Sequence, residues 1–254
     1  MSHSSSKSGR VVAVIPARYG SSRFPGKPLA MIAGRLMIQR VVERATAAAL
    51  VDEVIVATDD RRIFDAVQAF GGRAVMTSPD HPSGTDRIAE AVRGVEADLV
   101  INVQGDEPLI PPRVIDALVA KMRESGSEMG TVAVTLDPES AEFANPNIVK
   151  AVVDATGRAL YFSRAAIPFQ RADGEPMPAL WHWGIYAYRR EFLEQFVTWP
   201  PSPLEKCEKL EQLRALEHGA RIQVLTETES WSIGVDVPED VAKVEALLKK
   251  LEQK

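Results

Sequence analysis

The stretch "VVAVIPARYGSSRFPGKPLA", residues 11–30, decides how the rest of the chain is read. It opens with five apolar residues in a row, the pattern of a strand covered on both faces. Directly behind them come two arginines, a lysine, two glycines, two serines and three prolines. In an open α/β sheet, ligands sit outside the carboxyl ends of the strands. A loop of this composition at that edge is suited to hold an anion. Its glycines let backbone amides approach, and Arg18, Arg23 and Lys27 can contact phosphate oxygens. It is not a P-loop, because Gly20 and Gly26 enclose five residues and Pro28 follows the lysine; the G-x-G-x-x-G fingerprint is absent too. A solvated surface loop is the alternative reading of the same residues.

Outward from this stretch, short apolar runs alternate with helical patterns. "EVIVA" (53–57), "RAVM" (73–76) and "DLVINV" (98–103) read as further buried strands. "LMIQRVVERATAAA" (36–49), "RRIFDAVQAF" (61–70) and "TDRIAEAVRGV" (85–95) are apolar at helical spacing. Such alternation builds a mostly parallel, Rossmann-like sheet with right-handed crossovers, so the fold class is α/β. After about residue 125 the pattern changes. "GTVAVTL" (130–136), "IVKAVVD" (148–154), "ALYFS" (159–163) and "WHWGIYAYR" (181–189) predict a mixed or antiparallel extension, with the Pro-rich 167–180 as an exposed excursion. A helix over 204–218, a strand near 221–225 and a helix from Pro238 complete the reading. The domain division that follows is a core of 10–128 plus 201–254, an extension of 129–200, and a flexible leader over 1–9.

Composition narrows the classes. The 254 residues are 45% hydrophobic and 26% charged with a net charge of −5, so general nucleic-acid affinity is not expected and the early cations act locally. No apolar run approaches the roughly 20 residues of a membrane span. A single cysteine, Cys207, gives no internal disulfide and fits a cytoplasmic setting.

Two carboxylates stand at positions where a nucleotide's metal could be held. Asp106, in "VINVQGDEPLIPP", follows the fourth strand, and Asp236, in "SIGVDVPED", precedes the last helix. They could share Mg²⁺ if the fold unites them. Otherwise Asp106 is a turn former and Asp236 a helix cap. Arg164, behind "ALYFS", suits a bidentate pair with a carboxylate or a structural ion pair. His182, between two tryptophans, reads alone as a packing residue. Glu211 reads alone as one face of an amphipathic helix. Asp59 and Asp60, in "ATDD", lack metal-binding spacing and suit a cap on the next helix.

Taken in order, "IPARYGSSRFPGKPL", "VATDD", "MTSPDHPSGTDRIAEA", "NVQGDEP", "ALYFSRAAIP", "HWGIYAYR", "SPLEKCEKLEQLRALEHG" and "GVDVPEDV" resemble the CMP-Kdo synthetase family, the 3-deoxy-manno-octulosonate cytidylyltransferases of lipopolysaccharide synthesis. The resemblance covers about residues 10–250. It implies a nucleotidyltransferase core with a dimerisation extension, CTP and Kdo as substrates, Mg²⁺ as cofactor and a homodimer. Arg18, Lys27 and Asp106 match its catalytic residues. Ala17, Arg18, Arg23, Lys27, Met76, Thr77, Ser83, Gly84, Thr85 and Asp106 match the nucleotide site. Gln104, Arg164, His182, Tyr186 and Glu211 match the acidic-sugar site, and Asp106 and Asp236 the metal carboxylates. Trp183 departs from the smaller aliphatic residue common in the family. An 8-amino analogue of Kdo as acceptor, and a sugar-1-phosphate nucleotidyltransferase, are the alternatives.

Overall fold

The structure is a computed structural model and describes residues 9–21, 23–171, 177–228 and 234–252. The core starts from β1 (Val11–Ala17), whose side chains alternate between two buried layers. Val11, Ala13 and Ile15 enter one apolar cluster and Val12 and Val14 the other. A short hairpin, β2 (Met31–Ile32) and β3 (Arg35–Leu36), then leads into α1 (Met37–Thr46). β4 (Glu53–Thr58), α2 (Arg61–Ala69), β5 (Arg73–Met76), α3 (Gly84–Ala91) and β6 (Leu99–Asn102) follow in the expected alternation.

The helix α4 (Pro112–Ser125) was not among the expected elements; Pro112 opens its first turn and Gly126, at φ 62, closes it. Beyond it come β7 (Met129–Leu136), α5 (Ala141–Ala144), β8 (Lys150–Val153), β9 (Ala159–Ser163), β10 (Ala179–Arg189), α6 (Arg190–Phe196), α7 (Pro203–Glu208), α8 (Gln212–Glu217), β11 (Ile222–Glu227) and α9 (Pro238–Glu252).

Among the described residues, one sheet runs in the order β11-β7-β10-β6-β1-β4-β5. β10 pairs antiparallel with both neighbours, and every other adjacent pair on this path is parallel. β8 and β9 form a small antiparallel arm that joins the sheet at the first half of β10, through Leu180 and Trp181. Residues 129–200 therefore contribute two long strands to the main sheet and one arm leaving it. The order reverses at β1. The chain goes from β1 to β4 and β5 on one side, then returns to place β6 on the other. The crevice at such a reversal is where open α/β sheets bind ligands.

One expected element is corrected. The predicted helix over 204–218 is two helices, because Lys209 adopts a left-handed φ of 55°. Ser202 and Glu205 form a reciprocal capping box at the start of α7. At its end, the Arg164 guanidinium donates to the carbonyls of Glu208 (2.7 Å) and Lys209 (3.5 Å), so the break is satisfied by the side chain that follows β9. Nearby, Lys150 is fully buried and, among the described residues, has no ion-pair partner within salt-bridge distance. Its ammonium donates to the carbonyls of Asn145, Ile148 and Arg164 at 2.9, 2.5 and 2.8 Å, and this desolvation pushes its pKa down.

Candidate active site

Sequence-distant residues meet at the reversal point because the loop after β1 and the loop after β6 leave adjacent strands. The first loop folds back on itself, with the Tyr19 carbonyl accepting from the amides of Ser21 (3.0 Å) and Gly26 (2.9 Å). Gly26 is favoured by its φ of 71°, and a Cβ there would crowd the Tyr19 ring at 3.1 Å. The Arg62 guanidinium stacks 3.3 Å from the same ring's centroid. Across the crevice Gly105 approaches β1 closely; a Cβ would lie 2.9 Å from the Pro16 carbonyl oxygen. That contact sets the depth of Gln104 and Asp106 beside the loop.

The centre of the site is Lys27. Its ammonium donates to Asp106 Oδ2 at 2.6 Å and to the Val235 carbonyl at 2.8 Å, and lies 3.9 Å from Asp236 Oδ1. Arg23 reaches Asp236 Oδ1 at 3.1 Å. The helix-cap reading of Asp236 is replaced by its neighbour: Asp240 accepts from the amides of Asp236 and Val237, leaving the Asp236 carboxylate to face the cations. A small apolar cluster of Ile32, Met37, Leu109, Val235 and Val244 anchors this segment behind the site. Three hard oxygens gathered around one positive charge suit Mg²⁺. Among the described residues no group of three or more His, Cys, Asp or Glu side chains could hold a metal. A metal held by Asp106 and Asp236 would therefore complete its shell with phosphate oxygens and water.

These residues wall a cavity of about 370 Å³. Of the sequence candidates, Ala17, Arg18, Arg23, Lys27, Ser83, Gly84, Gln104, Asp106 and Asp236 line it. Arg18 is exposed and makes no ion pair among the described residues, so it is an uncompensated cation at the mouth. Ser83 caps α3 by accepting from the Asp86 amide. Sequence reasoning missed His81 and Arg87, which also line the cavity. Arg87 did carry a signal: it falls in the apolar stripe of α3 with Gly84, Ile88 and Ala91, where an arginine requires a buried partner.

The remaining candidates lie outside that lining. Met76 is exposed, and Thr77 is buried and accepts from Arg87 at 2.6 Å. The Thr85 hydroxyl donates to Glu211 Oε2 at 2.7 Å, and burial pushes the Glu211 carboxyl up. Tyr186 donates to Gln212 Oε1 at 3.2 Å, and its phenol is raised by burial and by the Glu211 charge. Gln104 links the cavity to β10, donating to the Gly184 carbonyl at 3.0 Å. Trp183 is buried beside Trp181, with ring centroids 5.1 Å apart. Arg164 is held by the carbonyls of Pro146, Glu208 and Lys209. Asp60 caps α2 as expected, whereas Asp59 pairs with Arg87 at 2.9 Å.

The chain belongs to the cytidylyltransferase family, whose model matches residues 12–222. Within it, the chain resembles one group of relatives over nearly its whole length. It is 53% identical to the 3-deoxy-manno-octulosonate cytidylyltransferase of Syntrophotalea carbinolica, over 95% of this chain and 99% of that protein. It is 51% identical to the enzyme of the same name from Myxococcus xanthus, over 96% and 98%. A solved CMP:2-keto-3-deoxy-manno-octonic acid synthetase in complex with CTP superposes with a TM-score of 0.91 at 49% identity, covering 95% of this chain and 99% of that one. A 4-diphosphocytidyl-2C-methyl-D-erythritol synthase from Anaerococcus prevotii, at 14% identity and a TM-score of 0.62, shares the fold, over 95% of this chain and 97% of that one.

His182 generates a pH prediction. With the Thr131 hydroxyl given to the Ile185 carbonyl (2.8 Å), His182 Nε2 donates to Thr131 Oγ1 at 2.9 Å. Burial lowers the imidazole pKa from 6.5 to about 3. Below pH 6.5 the unfolded chain takes up a proton that the folded protein refuses, so stability is lost as pH falls from 6.5 towards 3. At pH 5 this removes about 2 kcal/mol relative to pH 7. Denaturant unfolding of wild type and His182→Gln across that range checks it: the variant's curve should be flatter by this amount. Equal slopes would mean that the imidazole is not buried neutral.

Proposed function

We propose that this protein activates Kdo: CTP + 3-deoxy-D-manno-octulosonate → CMP-Kdo + diphosphate, supplying the activated sugar for lipopolysaccharide synthesis. The observation that carries the reading is the meeting of Lys27, Asp106 and Asp236 beside the uncompensated Arg18 at the sheet's reversal point, in a chain about half identical to named enzymes of this activity.

The chemistry joins a sugar hydroxyl oxygen to the α-phosphorus and breaks the bond to the β-phosphate oxygen. Acceptor and nucleotide are both anions, so positive charge must screen their approach. Negative charge then moves onto the departing diphosphate, where Arg18 and Lys27 are positioned to stabilise it. Lys27 must exchange its contact with Asp106 for one with phosphate as the nucleotide enters. No covalent enzyme intermediate is needed, and positioning with electrostatics carries the rate. Mg²⁺ is proposed as the cofactor, held by Asp106 and Asp236; when bound it supplies Lewis-acid screening of the phosphates. The acceptor is placed on the side of Gln104, Tyr186 and Glu211, with Arg164 as the guanidinium for its carboxylate. A cytoplasmic location is proposed because one exposed thiol, Cys207, suits a reducing compartment.

A diphosphate-release assay tests the function. CTP with Kdo should release diphosphate, while UTP with Kdo, and CTP with a sialic acid or a sugar 1-phosphate, should release far less. Preference for a sugar 1-phosphate would overturn the reading, and 8-amino-Kdo in parallel identifies which octulosonate is favoured. Asp236→Asn at limiting Mg²⁺ should lower turnover roughly 100-fold, the loss of about 3 kcal/mol of charge stabilisation. Unchanged turnover would remove the metal role.

A homodimer through residues 129–200 is also proposed. Its support is the exposure of Leu160, Phe169 and Met177, with Phe169 87% accessible. Light scattering at micromolar concentration should give about twice the chain mass of 27.8 kDa, and a Phe169→Asp variant should shift it towards monomer. A wild-type monomer would contradict it.

A further inference from the structure

The β8–β9 arm carries a buried cation that the proposed chemistry does not use. Lys150 is the residue of β8 where the arm's two registers meet, opposite Ser163 of β9 and Trp181 of β10. Each of those partners immediately precedes a residue assigned to the acceptor, Arg164 and His182. The Lys150 side chain is wholly buried, and its three N–H groups meet three carbonyl oxygens, those of Asn145, Ile148 and Arg164. Among the described residues it has no carboxylate within salt-bridge distance, so the charge is desolvated without a paired anion. An apolar side chain would fill the position without that penalty.

The contacts close a ring. Lys150 holds the Arg164 carbonyl, and the Arg164 guanidinium returns to the Pro146 carbonyl at 3.0 Å, in the turn that Lys150 also grips. The Val149 carbonyl at the end of that turn accepts from the His182 amide at 2.8 Å. On the other side, Glu208 accepts from the Ser163 hydroxyl at 2.5 Å and from the Arg164 amide at 2.9 Å. The backbone of Arg164 is thus fixed at its amide by Glu208 and at its carbonyl by Lys150. Of the five N–H groups of its guanidinium, three reach the carbonyls of Pro146, Glu208 and Lys209, which leaves one on each terminal nitrogen. Such a pair is the fork that a carboxylate accepts.

We propose that Lys150 is a positioning residue for the acceptor: by holding the Arg164 carbonyl and the 145–149 turn, its ammonium sets the remaining Arg164 fork for the acceptor's carboxylate. This rests on the reading of the protein as a transferase to a carboxylate-bearing sugar, and deepens it. A neutral amine at position 150 would have two N–H groups for three carbonyls, so alkaline pH should loosen the fork. Desolvation and the Arg164 charge lower the Lys150 pKa from the usual 10.5, with the Glu208 charge opposing them. The other ionisable side chains beside it, Tyr161 on β9 and His182 on β10, stay neutral below that value, because burial raises the phenol and lowers the imidazole.

Rates of diphosphate release by the full chain, with Kdo varied at saturating CTP and then the converse, test this between about pH 7 and pH 10. In wild type the KM for Kdo should rise several-fold towards alkaline pH. Lys150→Met should raise it about 10-fold at neutral pH, the effect of a weakened hydrogen bond to a charged group, and abolish the alkaline rise. The KM for CTP should be the same in variant and wild type at every pH. An alkaline rise shared by wild type and variant would belong to another group, and equal effects of Lys150→Met on both substrates would mean that the residue only supports the fold; either result overturns the proposal. The wild-type profile needs no variant, so a KM for Kdo that is flat across the range overturns it even where Lys150→Met does not fold. Failure of the transferase reading would look different, as no diphosphate release from CTP and Kdo at any pH.

Discussion

The ammonium of Lys27 ties together three parts of the chain that are remote in sequence. It belongs to the loop after β1, bonds to Asp106 after β6, and bonds to the Val235 carbonyl ahead of α9. The Val235 amide in turn donates to the Asp106 carbonyl at 3.0 Å. The last segment is thus attached to the site by its backbone, and Asp236 is delivered beside Lys27 as a consequence. Without that cation, Asp106 and Asp236 would face each other as like charges. With it, the two carboxylates are held as a pair beside one cation. The same contact that organises the site is the one that the proposed reaction would exchange for a phosphate.

The parallel half of the fold was legible because buried strands and amphipathic helices announce themselves by period. β4, β5 and the three helices beside them fall within a few residues of their expected bounds. Other elements were opaque for physical reasons. Helix α4 begins at the second of two adjacent prolines, in a stretch that reads as a loop. The break at Lys209 depends on Arg164 arriving from just behind β9 to satisfy carbonyls, which no local pattern encodes. The role of β10 inside the main sheet is likewise set by its partners rather than by its composition.

The site divides in the same way. Arg18, Lys27 and Asp106 could be singled out because charge concentrated at a strand's carboxyl end has few structural uses. Asp236 could be matched to Asp106 only through the family pattern, since their union rests on the tertiary contact at Val235. Arg87 could not be interpreted locally, because its partners Asp59 and Thr77 come from two other loops. Arg164, His182 and Glu211 sit in hydrogen-bonded settings in which their functional and structural readings remain intertwined: a guanidinium capping α7, an imidazole on Thr131, a carboxylate on Thr85.

The most direct test of the account is a crystal structure of the protein with CTP and Mg²⁺. It should show the triphosphate against Arg18 with Lys27 Nζ moved from Asp106 onto a phosphate oxygen, and the metal between Asp106 and Asp236. A nucleotide bound elsewhere, or one bound in this cavity with the Lys27–Asp106 contact intact, would contradict it.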